Sequence, residues 1–404
     1  MSELTVFERA STPLVSIVVP TKNRGKYAKR MIESILSIPS DEFELVISDN
    51  SDDDDLEIYI KEREADPRLA YCHVQGIFSM TDNHNLAFAR VRGEYVFLIG
   101  DDDTVLPEVI AVAKWAKKEG WDAVTPLSTP CYFWPDVRHW FWGSKQSSMM
   151  YAQEYTGNLK ELNPREAVEE CLRHAGQGVH NLPKTYHGLV RYSCMTEIKR
   201  RTGDYFRGVS PDVYGALALG CVVKRYCHLD FPISIAGVAG GSNSGRAAMK
   251  QHKGNLSTDP HMVAYRDLEW PRSVPEFFSV ETVWAEASIE AINAFDLSLK
   301  KFNFELLYAK CLVNHGAKIR DILRSIYHRS HKNYFQMAIH LSTILLRVLF
   351  LTFNKSFYYI GRLLHPTPAG KFEAITGGTD IVNASIQYQC WRENKNLIDW
   401  THET

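Results

Sequence analysis

Three consecutive aspartates, Asp101, Asp102 and Asp103, follow the apolar run Glu94-Tyr-Val-Phe-Leu-Ile99. Alternation along an extended backbone turns Asp101 and Asp103 to the same side. Two hard oxygen ligands on one side can hold Mg2+ or Mn2+, with waters or phosphate oxygens completing the octahedron. A departing diphosphate gathers negative charge, and such a clamp stabilises it. The same residues also suit a solvated acidic turn in which Asp103 caps a helix at Thr104. A fourth acid, Asp212, stands in Ser210-Pro-Asp-Val-Tyr214, where Ser and Pro mark a helix start. A carboxylate within reach of an attacking hydroxyl can take its proton. Asp212 in the first turn also suits the helix dipole alone. Asp204 is the second candidate base; Glu197, expected mid-helix, is the third.

Other residues could contribute binding. His187, in Thr185-Tyr-His-Gly188, suits either an acceptor contact or an ordinary part-buried position. The segment Gly237-Val-Ala-Gly-Gly-Ser-Asn-Ser-Gly-Arg246 reads as a mobile loop. It could close over a ligand, with Arg246 or Lys250 neutralising phosphate, or simply link domains. The aromatics Tyr132, Phe133, Trp134, Trp140 and Trp142 could stack on sugar faces or pack together. Basic residues are not interleaved with them, so no nucleic-acid partner is expected.

The elements that must position these residues alternate. Strands are expected at Leu14–Pro20, Phe43–Ser48, Leu69–Val74, Glu94–Ile99 and Trp121–Thr125, with helices at Lys26–Ser37, Leu56–Glu64, Asp82–Arg90 and Pro107–Glu119. Such alternation implies an α/β fold with a mainly parallel sheet flanked by helices. Ligands in these sheets bind at the carboxyl ends of the strands, here Thr21 and Asn23, Asp49 and Asn50, and Asp101 to Asp103. The pattern breaks between about 126 and 178. Asn163-Pro-Arg-Glu166 opens a further helix, and from about 281 to 365 the chain reads as mostly helical.

The 404 residues, 45% hydrophobic and 23% charged, exclude a disordered chain, a collagen-like fibre and a disulfide miniprotein. Eight cysteines with no CxxC pair read as reduced thiols in a cytoplasmic protein. The start MSELTVFERASTP lacks the basic and apolar regions of a secretory leader. No 18 apolar residues run uninterrupted, so no membrane span is expected. Formal charge is −2, but residues 300–365 hold eleven Lys or Arg against Glu305 and Asp321. That tail is about +9 and the remainder about −11. Its apolar run, Met337 to Phe353 split by Arg347, reads as a basic helix suited to an anionic membrane surface, or to a buried hairpin or homo-oligomer contact.

The motifs Val15-Ser-Ile-Val-Val-Pro-Thr-Lys-Asn-Arg24, Glu44-Leu-Val-Ile-Ser-Asp-Asn-Ser51, Asn83-His-Asn-Leu-Ala and Gly93-Glu-Tyr-Val-Phe-Leu-Ile-Gly-Asp-Asp-Asp103 resemble, in order and spacing, those of family 2 glycosyltransferases. The Ser-Pro-Asp-Val-Tyr segment resembles the subset acting on bacterial surface polysaccharides. The resemblance implies a GT-A fold. It implies nucleotide-sugar contacts, most simply to a UDP-sugar, from Pro20, Thr21, Asn23, Arg24, Asp49, Asn85, Asp101, Asp102 and Arg246. It also implies Mn2+ or Mg2+ on Asp101 and Asp103, and inversion with Asp212 as base. His187 and Trp140 would meet a glycan or lipid-linked glycan acceptor. The acidic cluster Asp52 to Asp55 is heavier than the family's usual turn and reads as a solvated helix N-terminus.

The expected organisation is a tail at 1–13 and a GT-A domain at 14–245, divided into a nucleotide-sugar half (14–125) and an acceptor half (126–245). A lid or linker at 246–280 and a basic, mainly helical region at 281–404 follow. A nucleotidyltransferase would show a glycine-rich phosphate loop, whereas Thr21-Lys-Asn-Arg-Gly25 has one glycine. A non-catalytic scaffold is disfavoured by the intact acid triplet.

Overall fold

The computed structural model describes residues 12–63, 65–249, 254–265, 268–330, 333–364, 368–370 and 372–397. In chain order its strands are β1 (Val15–Thr21), β2 (Phe43–Asp49), β3 (Leu69–His73), β4 (Tyr95–Leu98), β5 (Thr104–Val105), β6 (Ala123–Pro126), β7 (Cys131–Phe133), β8 (Met149–Ala152), β9 (Leu159–Leu162), β10 (Leu189–Arg191), β11 (Tyr226–Leu229), β12 (Ser234–Val238) and β13 (Glu373–Thr376). The α-helices are α1 (Gly25–Leu36), α2 (Asp55–Lys61), α3 (Met80–Phe88), α4 (Glu108–Glu119), α5 (Pro164–Arg173), α6 (Tyr192–Thr202), α7 (Pro211–Val222), α8 (Asn243–Ala248), α9 (Val280–Ala294), α10 (Phe304–Asn314), α11 (Ile319–Arg329), α12 (Tyr334–Leu364) and α13 (Ile381–Asn394).

The expected α/β architecture, a mainly parallel sheet flanked by helices, is present. The main sheet has eight strands in the order β3-β2-β1-β4-β10-β6-β11-β9. The four from β3 to β4 are parallel, and β10 runs antiparallel to both its neighbours. β1 and β2 are buried on both faces, which is why they read as mainly apolar runs. Each fully buried Val or Ile there contributes about 1.5–3 kcal/mol. Helices cover both faces. α1 buries Tyr27, Ala28, Met31, Ile32 and Ile35 on one side, and α4 stops where Gly120 turns left-handed (φ 73°). α5 begins as its sequence demands, with Asn163 accepting from the backbone N–H of Arg165 and Glu166 and Pro164 in the first turn.

Three features depart from the sequence reading. Thr104 opens no helix: β5 forms there, pairs with β12, and α4 begins at Glu108. The aromatic stretch after residue 126 contains β7 and β8, part of a second sheet ordered β13-β8-β7-β12-β5. Its outer strand β13 comes from the far end of the chain, and α13 then packs on α1, with Ile381, Ala384 and Tyr388 buried beside Tyr27 and Tyr132. The end of the region expected as a separate helical tail thus completes the first domain's second sheet. The third departure is α12, a single 31-residue helix. Residues Tyr334–Gly361 are long and apolar enough to cross a membrane by length and composition, although Arg347 interrupts them.

Candidate functional site

The acid triplet lies where β4 ends, and its carboxylates are buried. An unpaired buried charge is costly, so each needs partners. Asp101 accepts from the Thr21 hydroxyl and pairs with Arg24 Nη1 at 2.9 Å. Asp102 pairs with Arg24 Nη2 at 2.9 Å and accepts from the Ala239 N–H at 3.0 Å. Asp103 accepts from the N–H groups of Gly100 (2.7 Å) and Gly237 (2.6 Å) and from the Tyr186 hydroxyl (3.1 Å). His187 Nε2 stands 3.2 Å from Asp103 Oδ2, while His187 Nδ1 is hydrogen-bonded to Ser234 Oγ at 2.9 Å.

These surroundings set the charges. Burial raises the Asp101 carboxyl against the pull of Arg24. Burial likewise pushes Asp102 up to about 7, with Arg24 opposing and the neighbouring acids assisting. For Asp103, burial is outweighed by His187 and the Gly237 and Gly100 N–H groups, so it lies below the usual range. Burial disfavours the Arg24 cation, but the three acids hold its pKa above the ordinary value.

Close approach makes glycine mandatory at 237. A Cβ there would lie 1.8 Å from the Asp102 carbonyl oxygen and 3.0 Å from Trp134 Nε1. The segment expected as a mobile loop is therefore β12 followed by a Ser242-capped helix, and its backbone grips the acids. Trp134, expected among stacking aromatics, donates its indole N–H to the Asp102 carbonyl at 3.0 Å.

The neighbouring strand ends supply the rest. Asp49, fully buried, accepts from the Ser51 N–H and hydroxyl and, at 2.9 Å, from the Tyr71 hydroxyl. Pro20 sits beside Ser48 near the end of β1. Asn23 is left-handed (φ 55°), a conformation asparagine tolerates better than most residues. It is fixed by Ser51 Oγ and by reciprocal bonds to Asp52. Asp54 and Asp55 open α2, and Asp54, Glu57 and His73 have potential metal-ligating atoms within 4.8 Å of one another.

Asp212 lies in the first turn of α7 and accepts from the Ser210 hydroxyl at 2.5 Å. It acts electrostatically on Tyr186, His84, Lys184 and His261. Tyr186 also donates its hydroxyl to Asp103. Burial lowers His84 to about 4 and also lowers His261 and Lys184. The loop before Asp212 is clamped from three sides. Thr81 donates to the Gly208 carbonyl, Asn85 bonds both backbone groups of Phe206, and His261 Nε2 meets the Val209 carbonyl at 2.9 Å. From α9, Glu286 accepts the Val209 N–H at 2.8 Å, and Glu290 pairs with Arg207 at 2.7 Å.

Sequence-expected residues thus separate into groups. Thr21, Arg24 and Asp101 to Asp103 share one cluster, with Asp49 and Asn23 at the adjoining strand ends, while Asp212 lies in the first turn of α7, bonded to Ser210. Asn85 holds the 206 backbone. Arg246 pairs with Asp259 at 2.9 Å. His187 is buried behind Asp103 rather than open to solvent. Trp140 is 46% exposed, and its backbone N–H donates to the Ala248 carbonyl. Asp204 is exposed. Glu197 is tied to Arg200 and Arg201, whose hydrogen bonds lower it to about 2. Lys250 lies outside the described residues. Sequence reasoning missed Tyr186, whose adjacency to His187 was a usable signal. It also missed His261 and Glu286, which carry no motif.

Residues 16–164 match the family model "Glycosyl transferase family 2". The chain is 33% identical over 104 residues to the "Putative colanic acid biosynthesis glycosyl transferase WcaA" of Escherichia coli, covering 25% of this chain and 37% of that one. It is 27% identical over 111 residues to the "GalNAc(5)-diNAcBac-PP-undecaprenol beta-1,3-glucosyltransferase" of Campylobacter jejuni, covering 27% and 36%. The chain therefore spans little more than a third of the length of these relatives. Among solved structures, S. aureus TarS 1-349 in complex with UDP-GlcNAc aligns over 79% of this chain and 91% of that one, at 16% identity and a TM-score of 0.42.

Proposed function

We propose that this chain, whose residues 16–164 match the family model "Glycosyl transferase family 2", moves a sugar from a nucleotide-sugar donor to a glycan hydroxyl in bacterial surface polysaccharide synthesis. The observation that carries the reading is the meeting of Thr21, Arg24, Tyr186 and the buried acids Asp101 to Asp103 where β4 ends, with Asp49 beside Thr21 at the end of β2. The donor is most simply a UDP-sugar, its base side facing Asp49 and Asn23 and its diphosphate at the triplet. Asp212 takes the acceptor proton while the hydroxyl oxygen bonds to the anomeric carbon from the face opposite the leaving group. The anomeric carbon–phosphate oxygen bond breaks, the nucleoside diphosphate leaves with its electron pair, and the configuration inverts.

The donor set fits a divalent cation such as Mn2+ or Mg2+. Asp101 Oδ1 and Asp102 Oδ1 face one cation already, the Arg24 guanidinium, at 2.9 Å each. Asp101 would hold the metal once Arg24 turns outward, and Arg24 would then be free for phosphate. Asp103, proposed to share the ion, would do so by exchanging Tyr186 or His187 as a partner. Bound there, the metal would supply charge stabilisation for the leaving diphosphate.

A panel of nucleotide sugars scored for transfer and donor hydrolysis tests the reading. Activity is expected to fall at least about 100-fold in Asp212→Asn and to depend on divalent metal. Undiminished transfer by Asp212→Asn would remove the base, and undiminished transfer in chelator would remove the metal. Absence of turnover or nucleotide binding across the panel would remove the reading as a whole.

A further inference from the structure

Helix α12 carries two apolar faces, and the fold covers one. Met337, Leu341, Ile344, Val348 and Leu351 pack inward, and Ile344 is buried. Polar ties fix that side to α10: His340 Nδ1 meets Glu305 Oε1 at 2.8 Å, and Lys355 Nζ meets Asn314 Oδ1 at 2.9 Å. On the outer side Phe335, Ile339, Leu346, Leu349, Phe353 and Phe357 are 53–76% exposed. Their spacing of three, four and seven residues makes one continuous stripe. From Phe335 to Phe357 it runs about 33 Å at 1.5 Å per residue. Six large side chains at this exposure leave on the order of 600 Å² of apolar surface, at the upper limit for a soluble monomer.

Charge selects what covers it. Residues 300–365 hold eleven basic against two acidic residues. Arg320 and Arg324 are exposed on α11, which packs beside α12; Arg324 lies 3.8 Å from Glu276, also exposed. An apolar stripe on a strongly basic segment is complementary to a bilayer surface bearing anionic headgroups. The inner ties decide between lying on the membrane and crossing it. A crossing helix would have to strip Ile344 from the core and leave Glu305 and Asn314 without their partners. It would also carry His340 and Arg347 into hydrocarbon.

We propose that α12 is an interfacial anchor that lays this stripe into an anionic lipid surface while staying packed on α10. The proposal is independent of the sugar-transfer reading, because its readout is lipid binding. Full-length protein is co-sedimented with phosphatidylcholine vesicles containing about one-third phosphatidylglycerol, with pure phosphatidylcholine vesicles, and across a salt series. Binding to the anionic vesicles is expected, weakened by salt and at least ten-fold weaker to the neutral ones. Leu349→Ser with Phe353→Ser should abolish it, with the melting temperature unchanged because both sites are exposed. Arg320→Gln with Arg324→Gln should weaken it about 30-fold, at about 1 kcal/mol per cation. Bound protein should be released by alkaline carbonate. Retention after carbonate would overturn the claim that the helix does not cross. Equal binding to neutral vesicles would overturn the charge argument. A dimer in solution that the serine pair converts to monomer, with no vesicle binding, would assign the stripe to a second copy of the chain instead.

Discussion

Glu286 gives the sharpest test of how the candidate base is held. Its carboxylate accepts the Val209 N–H from within α9, and burial pushes its pKa to about 7 from an ordinary 4.5, with Glu290 adding to the rise. Between these values the folded protein binds more protons than the unfolded chain. The group's contribution to stability is thus complete below about pH 4.5 and is lost as pH rises through about 7. At 1.36 kcal/mol per pKa unit the loss is about 3 kcal/mol. Glu286→Gln keeps an oxygen for Val209 and cannot titrate. An unfolding entropy of about 2.1 cal/mol/K per residue over 404 residues converts 3 kcal/mol into about 4 °C. Calorimetric melting of both proteins from pH 4.5 to 8.5 should show the glutamine variant gaining about 4 °C on the native chain across that range. Other titrations are common to both proteins and cancel in the difference. A difference independent of pH would refute the argument, because Glu286 would then not change protonation while folded.

Three further outcomes follow from the same contacts. Gly237→Ala places a carbon 1.8 Å from the Asp102 carbonyl oxygen and must push β12 away from the triplet. It should cost about 3 kcal/mol by denaturant titration and abolish any thermal stabilisation by UDP with Mn2+. Arg24→Met leaves two buried carboxylates facing each other without their cation. It should destabilise by about 3–5 kcal/mol at pH 8, a penalty that shrinks below pH 7 as Asp102, already raised to about 7, takes a proton; melting at pH 8 and pH 6 measures it. Asn163→Ala removes the acceptor at the start of α5 and should cost about 1 kcal/mol in the same titration, without altering nucleotide binding.

The parts legible in the sequence are those governed by neighbours along the chain. β1 and β2 were readable because a strand buried on both faces is mostly apolar, and their buried Ser16 and Glu44 are hydrogen-bonded to each other. The start of α5 was readable because Asn, Pro and Glu satisfy its own first turn. The acid triplet was readable because a carboxylate run after an apolar strand is rare outside a site. The pairing of Arg24 with acids more than seventy positions away has no local signature. The same holds for the β12 backbone that grips Asp102 and Asp103, and for the return of β13 and α13 to the first domain. Asn85 shows how a motif residue can be read correctly as special while its partner, the Phe206 backbone, stays hidden.

The sequence by itself determined the alternating α/β pattern, the carboxyl-end acids and the basic, apolar tail. Tertiary structure alone decided which charges face one another, which carboxylates are gripped by backbone, and which side of α12 the fold leaves bare. Local pattern depends on periodicity and backbone sterics, which neighbours impose. Burial, pairing and pKa depend on desolvation and distance, which only the closed fold sets.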